Sequence, residues 1–330
     1  MNILISVVIP TYQRPQSLWR CLEALAVQDL GDATCEILVV DDARSPITRE
    51  QAVVFAGSHG VGHCGSHLHL RYLQPPPGKR GPAAARNAGW RAARGEIIAF
   101  TDDDSIPAPD WLSRGLAAMQ PGFAAAWGHV EVPLPPAPSD AERNTTGLHG
   151  AEFVTANCFV RRAALFQVDG FDERFKRPWR EDSDLYFTLL ERGHQVVAAP
   201  DAIVVHPARQ SPVLQCLRRH RNLFFDALLY KKHPQLYRSK IAAAPPWYYY
   251  LTVFFGVLAL LAFAAGWGGL TTLATAAWLG LTLHLAHHRQ QGLRQTGCEM
   301  AGILFTSVLI PPLAVFWRLA GAWHFRVVFA

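Results

Sequence analysis

Between residues 241 and 288 the chain carries no Asp, Glu, Lys or Arg. A run of that length cannot lie on the surface of a water-soluble domain. Split in two, it supplies close to the roughly 20 apolar residues that each bilayer-crossing helix requires. Residues 247–265 and 270–286 read as the two arms of a hairpin. Gly266-Trp-Gly-Gly269 is the tight turn, and Trp247 with Tyr248, Tyr249 and Tyr250 forms an interfacial aromatic belt. Residues 300–317 are a third apolar segment, which Pro311-Pro312 is expected to break, leaving spanning and re-entrant forms open. Arg289 and Arg294 follow the hairpin with no acid before Glu299, and a basic stretch precedes it, which places both flanks in the cytoplasm.

That basic stretch, residues 211–232, has Val213, Leu214, Leu217, Phe224 and Leu228 at helical spacing. Arg218, Arg219, Arg221, Lys231 and Lys232 supply its charge. Such a helix fits the anionic cytoplasmic leaflet; packing within the soluble part is the alternative. The formal net charge of +5 is modest. Its location points to membrane lipid, and no nucleic-acid partner is expected.

The first 240 residues have the composition of a soluble domain, with an α/β pattern over the first 207. Residues 3–10, 36–41 and 96–101 are largely apolar and of strand length, 68–73 reads as a further strand, and helical segments at 15–27, 48–56 and 83–94 separate them. Near-continuous apolar strands alternating with helices predict a mostly parallel, Rossmann-like sheet covered on both faces. A strand near 123–132 and a second lobe over 153–171 should follow. An amphipathic helix over 185–192 is then closed by Gly193, and two short strands flank Pro200-Asp201. Residues 1–10 lack a basic leader and read as a strand, so no signal peptide is expected. The six cysteines are scattered without a Cys-x-x-Cys pair, which fits a reducing compartment and no zinc site.

The chemistry gathers at strand ends. The second strand delivers Asp41-Asp42, and the fourth delivers Asp102, Asp103 and Asp104, with Asp110 placed to cap the next helix. Ligands of open α/β sheets bind beyond the carboxyl ends of the strands. Three adjacent carboxylates repel one another unless a cation sits among them. A hard divalent ion, Mn2+ or Mg2+, takes such oxygens and keeps positions open for phosphates. Glu181-Asp182 opens a helix, where free N–H groups favour carboxylates. His59, His63, Cys64, His67 and His69 have zinc-ligand character, but their Gly-rich connection reads as a loop.

Six motifs stand in order: Ser6-Val-Val-Ile-Pro-Thr-Tyr-Gln-Arg14, Ile37-Leu-Val-Val-Asp-Asp42, Ala85-Arg-Asn-Ala-Gly89, Gly95-Glu-Ile-Ile-Ala-Phe-Thr-Asp-Asp-Asp104, Gly170-Phe-Asp-Glu173 and Glu181-Asp182. Together they resemble an inverting glycosyltransferase of family 2 with the GT-A fold, over residues 3–207. The resemblance implies transfer of a sugar from a nucleotide-sugar donor. Pro10, Thr11, Arg14, Asp42, Arg86, Asp102 and Asp103 would hold that donor. Asp104 and Asp102 would bind Mn2+ or Mg2+, and Asp182, assisted by Glu181, would be the catalytic base. UDP is a family-level expectation, and His206-Pro207 resembles the close of the catalytic domain.

The expected organisation is a catalytic domain at 1–207, a basic interfacial helix and linker at 208–245, and a membrane region of two or three helices at 246–330. The acceptor would be a lipid-linked group or a growing glycan at the cytoplasmic face of a cell inner membrane. A processive synthase is disfavoured, because two or three membrane segments are few for a pore and Gln-x-x-Arg-Trp is absent. Two other classes remain. A sugar-nucleotide nucleotidyltransferase would need a glycine-rich basic loop after the first strand, where this chain has no glycine. A membrane-tethered scaffold with a decayed site would not be expected to keep both acidic motifs.

Overall fold

The computed structural model describes residues 3–31, 33–59, 68–208, 212, 214–293 and 296–329. The chain divides into two compact units. One is Met1–Pro133 with Thr146–Pro207, and the other is Leu134–Thr145 with Ala208–Ala330.

The first unit contains β1 (Ile5–Thr11), α1 (Pro15–Ala26), β2 (Cys35–Asp41), α2 (Pro46–His59), β3 (Leu68–Leu73), α3 (Pro82–Ala92), β4 (Ile97–Phe100), β5 (Ile106–Pro107), α4 (Trp111–Ala118) and β6 (Phe123–Glu131). After α5 (Asp140–Thr145), which belongs to the second unit, come β7 (Cys158–Arg161), α6 (Arg162–Val168), α7 (Glu181–Glu191) and β8 (Gln195–Val205). The strands form one sheet in the order β3-β2-β1-β4-β7-β6-β8-β5. Strands β3, β2, β1 and β4 run parallel, so their carboxyl ends share one edge.

Sequence chemistry explains the packing. Proline at the first helical positions of α1 and α3 gives up an N–H that no intrahelical carbonyl would have used. In α1, Leu18, Cys21, Leu22 and Leu25 are buried at helical spacing. Gly89 brings α3 onto β1, because a Cβ there would lie 2.4 Å from Val8 Cγ1.

Two parts of the sheet differ from the sequence expectation. The segment expected to form a second lobe instead contributes β7, which inserts antiparallel between β4 and β6. Residues 195–206 form one strand rather than two. Gly128 pairs with Ala199 and His129 with Ile203, so Pro200, Asp201 and Ala202 bulge out of register. The buried Asn157 repairs the bulge by donating to the carbonyls of Ala202 (2.8 Å) and His129 (2.9 Å), and its own carbonyl accepts from Trp111 Nε1 (2.8 Å). Asp110 holds the N-cap position of α4, but its carboxylate takes Arg114 Nε (3.0 Å) instead of a backbone N–H.

In the second unit, α8 (Gln215–Arg219), a 3-10 segment (His220–Phe225) and α9 (Asp226–Lys232) replace the single amphipathic helix expected there. Phe225, Leu228 and Leu229 are buried. The unit continues with α10 (Pro234–Lys240), α11 (Trp247–Ala264), α12 (Gly268–Gln290) and α13 (Gly297–Phe325). Helix α13 packs on the 3-10 segment and α9, and a Cβ at Gly321 would lie 2.3 Å from the Phe224 carbonyl oxygen. Packing on α13 therefore takes up the apolar side of the later part of the basic stretch, while Leu214 stays exposed.

Pro311-Pro312 does not break the third apolar segment, because both prolines lie inside the continuous α13. Two missing N–H groups cost two rungs of the ladder, which a packed apolar helix tolerates. Helices α11, α12 and α13 are each long and apolar enough to cross a membrane. At 1.5 Å per residue, α13 is about 43 Å long, against a hydrocarbon core of about 30 Å.

Candidate active site

The acidic triplet lies beyond β4, beside the end of β1. Asp103 is 4% exposed and turned inward. It accepts from the Thr11 hydroxyl (2.9 Å) and from Arg14 Nη1 (3.3 Å). Burial raises its pKa to about 6, against the lowering effect of Arg14. Asp102 and Asp104 stay half-buried on either side. Asp104 lies 3.7 Å from Arg14 and 3.4 Å from Nε2 of His206, the residue that follows β8. One ligand atom each from Asp102, Asp104 and His206 falls within a common 4.8 Å. Two carboxylates and an imidazole at that spacing fit a divalent cation.

Arg86, from α3, joins the two acidic motifs. Its Nη2 donates to Asp102 Oδ1 (2.9 Å) and its Nη1 to Glu181 Oε1 (2.8 Å). The residue is 3% exposed. Next to it, Asn87 donates to the Phe171 carbonyl (2.8 Å) and accepts the Phe171 N–H (2.9 Å), which fastens α3 to the Gly-Phe-Asp-Glu turn. Gly170 in that turn has φ +67°, and a Cβ there would lie 2.5 Å from Trp90 Nε1. The turn therefore requires glycine on two counts.

Glu181 and Asp182 begin α7. Glu181 is buried, and its pKa is raised, chiefly by that burial. Asp182 is half-buried, and its Oδ1 accepts from the Ser183 N–H (2.6 Å) and hydroxyl (3.3 Å). Burial raises its pKa as well, opposed by the Ser183 N–H and by Arg180 and Arg86. A carboxylate so placed is suited to taking a proton.

At the end of β2 the paired acids separate by function. Asp41 accepts from the N–H groups of Ala43 (2.9 Å) and Ser45 (2.7 Å) and from the Tyr72 hydroxyl (2.9 Å), and so holds the turn. Asp42 accepts the Gly81 N–H (3.0 Å) through Oδ2, while its buried Oδ1 has no partner among the described residues. Pro10, at the end of β1, is half-buried. The Thr11 hydroxyl, expected to line the base, is committed to Asp103.

Sequence reasoning missed the link from Arg86 to Glu181. Its available signal was one arginine among Ala83, Ala84, Ala85 and Gly89, small residues that fit a buried helix. The histidine-rich connection mostly lies outside the described residues; His69 stands on β3.

Residues 6–166 match the sequence model of Glycosyl transferase family 2. Glycosyltransferase AglE of Haloferax volcanii is 30% identical over 217 residues, which cover 62% of this chain and 67% of AglE. The chain belongs to glycosyltransferase family 2. The pre-mycofactocin glycosyltransferase of Mycobacterium tuberculosis is 29% identical over 225 residues, 62% of this chain and 43% of that protein. The chain thus spans about two thirds of the first relative's length and under half of the second's. Among solved structures, the mannosyltransferase PcManGT from Pyrobaculum calidifontis, in complex with GDP-Man and Mn2+, matches 98% of this chain and 85% of its own. The TM-score is 0.55 at 20% identity. That likeness is one of fold, and it places the first unit in the GT-A class.

Proposed function

We propose that the chain is a membrane-anchored, metal-dependent, inverting glycosyltransferase. Its donor would be a nucleotide-sugar, with UDP the family-level choice. Its acceptor would be a hydroxyl or phosphate of a lipid-linked or glycan substrate at the cytoplasmic membrane face, in cell-envelope glycan or glycolipid synthesis. One observation carries the reading: Arg86 brings the triplet with its cation-binding spacing together with the Glu181-Asp182 helix start.

Asp102, Asp104 and His206 would hold the cation, and the imidazole favours Mn2+ over Mg2+, which prefers oxygen donors throughout. When bound, the cation neutralises charge on the leaving diphosphate. Asp42, with its unused buried oxygen, would accept a hydrogen bond from the base or ribose. Arg14, exposed above Asp103 and Asp104, is placed to meet a phosphate. Asp182 takes the acceptor proton as the acceptor oxygen attacks the anomeric carbon opposite the diphosphate. One base and no enzyme nucleophile give inversion.

The three apolar helices support a membrane-side acceptor. Family membership sets aside the nucleotidyltransferase reading. The test uses detergent-purified full chain with UDP-, GDP- and dTDP-sugars, in Mn2+, Mg2+ or EDTA. Metal-dependent binding and turnover of one donor, lost in Asp104→Ala, is the expected result. Failure of every donor to bind with any metal would overturn the proposal.

A further inference from the structure

We infer that Arg86 is a positioning residue: it fixes Asp102 and the Glu181 end of α7 against each other and makes no contact with the nucleotide. The inference rests on the function proposed above.

The first support is commitment. Both terminal nitrogens of Arg86 are engaged, at 2.8 and 2.9 Å, by carboxylates from different parts of the chain. A guanidinium that is 3% exposed has no face to offer a phosphate. Swinging out to reach one would leave Glu181, equally buried, without its charge partner, a step that costs more than an exposed ion pair returns.

The second support is rigidity. Helix α3 cannot shift to release Arg86, because Asn87 is bonded to both backbone groups of Phe171 and Gly89 lies on Val8. The third is division of labour within Asp102. Arg86 takes Oδ1, while the Asp102 side chain remains 28% exposed and contributes a ligand atom to the cation cluster. An outer partner of this kind orients a metal ligand without touching the metal.

Geometry also excludes lysine as a substitute. The two acids are held by different nitrogens of one planar group, and a single ammonium cannot reproduce that fork. Arg86→Lys therefore keeps the charge and removes the bridge. Arg86→Gln/Glu181→Gln removes the bridge and also the buried carboxylate that would otherwise be left unpaired, so it tests the same point without straining the fold.

The experiment measures Mn2+ binding to the full chain in detergent, from loss of the free-ion EPR signal, with UDP or GDP present. In parallel, UDP and GDP binding is measured in EDTA. Loss of an outer partner typically weakens metal affinity or activity by about 10–100-fold. We expect a loss of that size in Mn2+ affinity for both variants, with metal-free nucleotide affinity unchanged. If nucleotide affinity in EDTA falls as far as Mn2+ affinity in Arg86→Lys, Arg86 is a nucleotide contact and the inference is overturned. Variants that bind Mn2+ as tightly as the parent chain overturn it alone. A parent chain that binds no Mn2+ overturns the metal site itself, and the inference with it.

Discussion

A carboxylate that must accept a hydroxyl proton works best with a pKa drawn toward neutrality, and burial draws Asp182 in that direction. Only the ionised form can accept, so raising its pKa moves the acid limb of the rate profile upward. We predict that kcat/KM falls as pH is lowered, with the midpoint above the ordinary aspartate range. Asp182→Asn should abolish that limb and lower kcat by about 10^2–10^4-fold while leaving donor affinity intact. A pH–rate profile beside a donor titration checks both, and an Asn variant with parental kcat removes Asp182 from the role. At this scale the gathering of acids at strand ends was legible, because a carboxylate that ends an apolar strand needs a ligand, a cation, water or, as at Asp41, backbone N–H groups. The pairing of Arg86 with Glu181 was not, because those residues stand 95 positions apart and only the fold brings them together. The resemblance set Asp103 apart from the metal pair Asp102 and Asp104, but did not show its inward turn to Thr11.

Between elements, one buried acid fastens the parallel half of the sheet. Glu36 on β2 is 0% exposed. Its Oε1 accepts from Ser6 Oγ of β1 (2.7 Å) and from the Arg94 N–H (2.6 Å) beyond α3, while Oε2 accepts from Arg71 of β3 (3.0 Å). Burial alone would raise its pKa, but these donors outweigh it and the net shift is downward. A depressed carboxylate stabilises the fold above its unfolded pKa, and that stability drains away as pH falls through the lower folded value. Glu36→Gln should therefore cost about 1–3 kcal/mol at neutral pH and flatten the acid side of the stability profile. Denaturant melts of the full chain across the acid range read both effects, and a parental midpoint at neutral pH with an unchanged acid slope would contradict them. The strand containing Glu36 was read correctly as an apolar run ending in Asp41, yet the buried acid near its start was passed over. The elements misread from sequence share one cause: a tertiary partner satisfied what the local pattern left unsatisfied. Asn157 carries β8 past Pro200, and packing carries α13 past Pro311-Pro312. The basic stretch broke into shorter pieces where Gly321 of α13 meets Phe224.

Over the whole molecule, the chain leaves the first unit after Pro133, returns at Thr146 and leaves again after Pro207. Helices α11–α13 should keep it in the membrane pellet through an alkaline carbonate wash, and release by salt alone would contradict the spanning reading. The excursion from 134 to 145 is held within the second unit by charge. Asp140, 8% exposed, accepts from Arg289 Nη2 (2.8 Å), whose Nη1 donates to the hydroxyls of Thr306 (2.8 Å) and Ser307 (2.9 Å) on α13. Arg143 donates to the Arg289 carbonyl (2.6 Å) at the end of α12, where helix carbonyls lack intrahelical partners and favour a cation. Removing one member of a buried pair costs more than removing both, because the survivor stays buried and charged. Asp140→Ala should thus destabilise the second unit by about 3–5 kcal/mol and open the excursion to proteolysis, whereas Asp140→Asn/Arg289→Gln should lose distinctly less. Limited proteolysis and thermal unfolding of the full chain in detergent compare the two variants. If Asp140→Ala resists cleavage as well as the parent chain, the excursion is held by its apolar contacts and not by this pair.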